Sequence, residues 1–385
     1  MAENIEANIQ EEVTPDNMNE VEAPEVEIEE SVEEQEDQAP EMTEEQSEAL
    51  DFYQNLAETM DERVLTRLAM ELIADYKKDK ESRSDWEKSY ISGLDLLGFK
   101  YDNASGPFLG ASSVTHPLLA EAVTQFQSQA YKELLPSDGP VRTQVVGNLT
   151  EEREQQAERV KEFMNYMIMD QMEEYTPEFD QMLFYLPLAG STFKKVYFDE
   201  LMDRAVSKFI PAEDLVVPYY ATDLKDCERI THLLKMSEND ILKKQRAGFY
   251  RDIDILPSRA EDSDIQDKYD QMEGVSNPSD ADYQFNVLEM HVDLDLEEFE
   301  MDSDEKNIKV PFIVTLDEGS GEILSIYRNY DMKDEKQRRK DYFVHYKFLP
   351  GLGFYGFGLI HMIGGLSKTA TAALRQLLDA GTLSN

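Results

Sequence analysis

The stretch Thr176-Pro-Glu-Phe-Asp-Gln-Met-Leu-Phe-Tyr-Leu-Pro-Leu-Ala-Gly190, followed by Ser191-Thr-Phe-Lys-Lys-Val-Tyr-Phe198, decides the fold class. Before Gly190, Phe179, Met182, Leu183 and Leu186 recur at the spacing of one helix face. Pro177 stands at the first helical position, where its missing N–H leaves nothing unpaired. Pro187 and Gly190 end the helix. After Gly190 the period falls towards two. Thr192–Phe198 and Ala205–Phe209 then suit a hairpin around Glu200–Asp203.

Towards the N-terminus the pattern is helical. Leu56, Met60, Val64, Leu68, Leu72 and Tyr76 form a stripe within a helix expected over 47–76. Trp86, Tyr90, Leu94 and Leu97 mark a second helix ending near Gly98. Residues 102–113 read as a Gly/Asn/Ser-rich loop. His116-Pro117 opens a third helix with Leu119, Val123, Phe126, Ala130 and Leu134 as its buried stripe. Val141–Val146 reads as a short strand. Thr150 caps a charged helix, with Glu151 and Glu152 at its positive end.

Towards the C-terminus the strand pattern continues at 214–219, 229–236, 285–296, 310–315, 322–327 and 342–348. Residues 256–282 are polar and read as a loop excursion. The last helix is expected over 366–379, with Leu366, Ala370, Ala373, Leu374 and Leu377 on one face. Ser367, Lys368, Thr371 and Arg375 lie on the other, and Gly381 is a natural stop. The order is helices, a mainly antiparallel β region, then one helix, which is an α+β layout. It predicts an acidic disordered tail over 1–48, a helical part over 49–190, a β-rich part over 191–348, and a Gly-rich bend with a helix over 349–385.

Charge excludes some roles. The net charge is −44, and residues 1–50 hold 19 of the 81 acidic residues and none of the 37 Lys and Arg. The remainder still carries −25, so tight wrapping of nucleic acid is not expected, because that grip comes from Lys and Arg displacing counterions. The acidic tail cannot bury enough apolar surface to offset its chain entropy. A single cysteine, Cys227, excludes an internal disulfide and a cysteine-based zinc site. No secretion signal opens the chain. Phe348–Ser367 is an uncharged run near the length of a membrane span, but six glycines and Pro350 interrupt it.

Few residues invite chemistry. His291, Asp293, Asp295 and Glu297 alternate on one strand face and could ligate a cation, although a solvated strand face has the same pattern. Gly353, Gly356 and Gly358 do not match a nucleotide loop, nor does Gly364-Gly-Leu-Ser-Lys368-Thr369, where Ser367 separates glycine from Lys-Thr. Backbone freedom at a bend is their expected use. The five histidines suggest no catalytic constellation, so no catalytic, cofactor-binding or metal residue is assigned.

A family resemblance goes further. Thr115-His-Pro-Leu-Leu-Ala-Glu-Ala-Val-Thr-Gln-Phe126, Lys132-Glu-Leu-Leu-Pro-Ser-Asp-Gly-Pro-Val141, Phe179–Gly190 with Phe193-Lys-Lys-Val-Tyr197, Ile210-Pro-Ala-Glu-Asp-Leu-Val216 and Leu349-Pro-Gly-Leu-Gly-Phe-Tyr-Gly-Phe-Gly358 resemble the N-terminal part of podovirus-type portal proteins of tailed bacteriophages. The resemblance spans about residues 50–385. It implies a non-enzymatic ring, usually a dodecamer, at one capsid vertex, assembled in the host cytoplasm. Double-stranded DNA passes through such a ring without sequence specificity. It also implies docking of the terminase packaging motor, head-completion or tail adaptor proteins, and the major capsid or scaffold protein. The clip, crown and second stem helix of such proteins have no counterpart here, which suggests a fragment. Lys368 and Arg375 are expected nearest the channel or a neighbouring stem. Two other readings remain: an acidic cytoplasmic binding protein or assembly chaperone that mimics DNA, and a metal-dependent nuclease using Asp293 and Asp295.

Overall fold

Alternating burial along the strands builds two antiparallel sheets, and helices cover them. The computed structural model describes residues 50–99, 111–199, 202–255, 263–275, 284–297 and 308–383. The chain divides into Met1–Gln46 and Ser47–Asn385, and every described residue belongs to the second unit. The expected borders at 190/191 and 348/349 fall inside that unit. The acidic tail, most of the loop at 102–113, the hairpin tip at Glu200 and Leu201, and residues 256–262 and 276–282 lie outside the described residues.

The helices are α1 (Glu62–Ser82), α2 (Ser84–Leu94), α3 (Leu118–Leu134), α4 (Glu151–Tyr166), α5 (Tyr175–Ala189), α6 (Glu238–Arg246), α7 (Asp264–Glu273) and α8 (Leu359–Leu383). The strands are β1 (Ser191–Asp199), β2 (Arg204–Pro211), β3 (Leu215–Val216), β4 (Arg229–Ser237), β5 (Gln284–Leu294), β6 (Val310–Asp317), β7 (Ile323–Arg328) and β8 (Phe343–Lys347). One sheet runs β2-β1-β8 and the other β3-β4-β5-β6-β7, with every pairing antiparallel. The α+β fold with a C-terminal helix is therefore the architecture.

The helix-to-strand switch at Gly190 has a steric cause. Gly190 adopts φ +89°, which closes α5, and β1 starts at the next residue. α1 lays Leu65, Leu68, Leu72 and Tyr76 on one face of the five-stranded sheet, against Leu288, Met290, Val314 and Ile326. The other face of that sheet meets the three-stranded sheet.

Several expectations need correcting. The helix expected over 47–76 is interrupted: Asn55 caps a single turn at Leu56–Glu58, and Asp61 accepts from Arg63 N to start α1 afresh. Val141–Val146 is not a strand. Val141 N instead donates to Asn165 Oδ1 and Thr143 Oγ1 to Ala157 O, which lays the segment along α4. The strand expected at 214–219 shrinks to β3, because a tight turn occupies Ala212–Asp214. The expected loop 256–282 contains α7, capped by Ser263 and closed by Gly274. Pro187 lies within α5 and does not end it. α8 begins at Leu359 and runs through Gly364, Gly365 and Gly381, so Gly381 is no stop. At Gly364 the helix lies against Leu96, leaving little space for a side chain. No described helix is long and apolar enough to cross a membrane.

Candidate functional site

The seam between the two sheets holds a buried ionic group. Glu289 and His291 on β5 turn away from α1, and Lys195 on β1 reaches them from the other sheet. Lys195 Nζ donates to both Glu289 oxygens, at 2.6 and 2.5 Å. His291 Nε2–H donates to Glu289 Oε1 at 2.8 Å. Phe343 of β8 sets its ring edge-on to His291 and His232, with centroids 4.9 and 5.8 Å apart. Burial works to raise the Glu289 carboxyl, but the Lys195 ammonium and the His291 hydrogen bond overcome it and hold the group well below the usual range. Burial pushes His291 down and His232 down to about 3, so both rings are neutral at pH 7. A cleft of about 440 Å³ opens beside His291, between Arg339, Tyr342 and His345. Arg339 ties its wall by donating to the carbonyls of Leu224, Lys225 and Cys227. This arrangement clamps two sheets together. The Nε2–H of His291 is held by Glu289, so that nitrogen is no base.

Of the strand-face residues that could face solvent, Glu297 does so, past the end of β5. His291 and Asp295 are buried and Asp293 is half-buried. At His291 the polar side points into the seam. Among the described residues no three His, Cys, Asp or Glu side chains converge to hold a metal ion. Cys227 is free and buried, and burial pushes its thiol up to about 11.

The bend before α8 is a contact between backbones. A β-carbon on Gly358 would overlap Leu188 O, and one on Gly356 would overlap Gly190 O. Gly356 N donates to Ser191 Oγ at 2.7 Å, and Phe348 N donates to Gly190 O at 3.0 Å. Gly353 faces open space and takes no part in this packing, contrary to its grouping with the other two.

From that bend α8 leaves with apolar residues on both its inward and its outward side. Ile360, Gly364, Ser367 and Thr371 are buried. His116 N donates to Thr371 Oγ1 at 3.1 Å. Arg375 donates to Val114 O at 2.8 Å and to Ser113 O at 3.2 Å, so it packs on its own chain. Lys368 is exposed. Met362, Leu366 and Leu377 are exposed by 56, 64 and 71 %. Leu359, Ile360 and Ile363 pack inward together with the small residues Gly364, Ser367 and Thr371, while Met362, Leu366 and Leu377 stay outward.

No protein-family model matches the chain, and no curated protein matches it. Sequence reading missed Lys195 and Glu289 as a pair. The available signal was a lone carboxylate between Leu288 and Met290, since a charge inside an apolar strand requires a partner.

Proposed function

We propose that the chain is a structural portal subunit, forming a ring at one capsid vertex through which double-stranded DNA is packaged and ejected. The observation that carries this reading is the outward apolar stripe of α8. From Met362 to Leu377 it covers about 22 Å of helix at 1.5 Å per residue. A single copy leaves that stripe in water, where contiguous apolar surface marks an association site. Contact with a neighbouring copy buries it, and a sideways contact repeated by rotation closes a ring. The resemblance over residues 50–385 points to the same assembly. α4 adds a second uncovered surface, since none of its residues is buried and Phe163 is 60 % exposed.

On this reading the exposed Lys368 is the α8 cation nearest the channel or a neighbouring stem, and Arg375 holds α8 to Ser113, Val114 and Thr115. The acidic body holds DNA loosely, which suits a conduit. The packaging motor, head-completion or adaptor proteins and the capsid shell or scaffold dock on the ring, in a virion assembled in the host cytoplasm.

Light scattering with negative-stain microscopy on the full-length protein tests the proposal. Rings of high mass are expected. A monodisperse monomer at high concentration overturns it and favours an acidic binding protein. Magnesium-dependent DNA cleavage lost in Asp293→Asn would instead favour the nuclease.

A further inference from the structure

α7 is docked by Ile265, with Tyr269 and Met272 packed beside it, by the Lys268–Asp95 ion pair, and by a buried polar chain. Tyr269 OH donates to Glu213 Oε1 at 2.6 Å. With that proton committed, Tyr90 OH from α2 donates to the Tyr269 oxygen at 2.9 Å. The other carboxyl oxygen, Glu213 Oε2, is buried and meets no hydrogen-bond partner among the described residues. Arg83 is the nearby guanidinium, yet it donates to the carbonyls of Ala212, Glu213 and Leu215 and to Tyr355 OH.

The remaining groups facing Glu213 do not neutralise it. Asp214 adds a like charge on the same turn, and Tyr185 faces it from α5. Glu213 and Asp214 line a cleft of about 210 Å³ together with Lys80 of α1, Lys235 of β4, Asn286 and Glu318. Lys235 Nζ donates to Gln266 Oε1 at 3.2 Å. An anion at Glu213 therefore has one buried oxygen without a partner among the described residues, lies beside another carboxylate, and is held by a single side-chain hydrogen bond. A neutral carboxyl still accepts from Tyr269 through Oε1 without the cost of a buried charge.

We propose that Glu213 is a proton-operated latch for α7: the neutral carboxyl holds the helix on the body through Tyr269 and Tyr90, and ionisation loosens it. Burial first, then Asp214, push Glu213 up to about 7, and burial pushes Asp214 up to about 6. A raised value means that the docked state binds the proton more tightly than the undocked state. Docking is therefore strongest below about 4.5, the ordinary glutamate value, and weakens as pH rises through about 7.

Amide hydrogen exchange of residues 264–273, corrected for intrinsic rates, tests the latch in the full-length protein. Between pH 6 and 8.5 one such group lowers protection by about tenfold. Protection of α1 should not follow. Glu213→Gln should flatten the dependence at the high-protection level, and Tyr269→Phe should lower protection at both pH values. Equal wild-type protection at the two pH values overturns the proposal. So does a parallel loss in α1, or an unchanged tenfold drop in Glu213→Gln.

Discussion

Lys195 shows what one buried charge does. It neutralises Glu289 across the sheet seam, where both side chains are 14 % exposed. Removing one partner strands the other, which costs about 3–5 kcal/mol for a buried pair. Lys195→Met should lose that much in urea unfolding. Lys195→Met with Glu289→Leu should recover most of it, because two apolar groups leave no orphan charge. The pair also sets acid sensitivity. Glu289 is depressed below its ordinary 4.5, so its contribution is present above that pH and fades as pH falls towards the folded value. Wild type should therefore soften below about pH 4.5, and the double variant less so. At the bend, Gly358→Ala should cost about 2–3 kcal/mol, since the added methyl meets Leu188 backbone in a packed site. Gly353→Ala should cost under about 0.5 kcal/mol, as open space surrounds it. Thermal melts of both variants check the contrast.

Among the elements, α8 separates folding from assembly. Leu366 and Leu377 touch little of their own chain. Leu366→Asp with Leu377→Asp should leave the melting temperature within about 2 °C, because exposed positions carry little stability. The same variant should lose high-mass species in light scattering. Retained rings would show that another surface joins the copies. α7 and residues 141–146 show what is legible at this scale. Ser263, Gln266, Ile265, Tyr269, Met272 and Gly274 spell a capped helix with one apolar side, but the polar flanks drew the reading towards a loop. Val141–Val146 has strand residues without a strand, since β-propensity expresses fit to a neighbouring strand and none lies beside it. Val146 is 90 % exposed there.

Across the whole molecule, charge opposes association. The chain carries −44, and even without residues 1–50 it carries −25. Bringing copies together stacks like charges that salt screens, with a Debye length of about 10 Å at 0.1 M and 3 Å at 1 M. Assembly should therefore strengthen between 0.05 and 0.5 M sodium chloride, read as mass by light scattering. Rings that dissociate over that range would indicate contacts held by ion pairs.

The fold class followed from periodicity alone, because a helix face and a strand face impose different spacings on apolar residues whatever they pack against. The stop at Gly190 and most strand positions followed for the same local reason. Tertiary structure alone decided which side of each element is covered. Ser367 and Thr371 face inward on α8 because small side chains permit close approach to the rest of the body, and Leu366 and Leu377 are left outside. His291 is buried because a second sheet lies over a strand face that sequence assigns equally well to solvent. Glu213 owes its unpartnered oxygen to α2, α5 and α7, which enclose it from distant parts of the chain. Such convergence leaves no period to read.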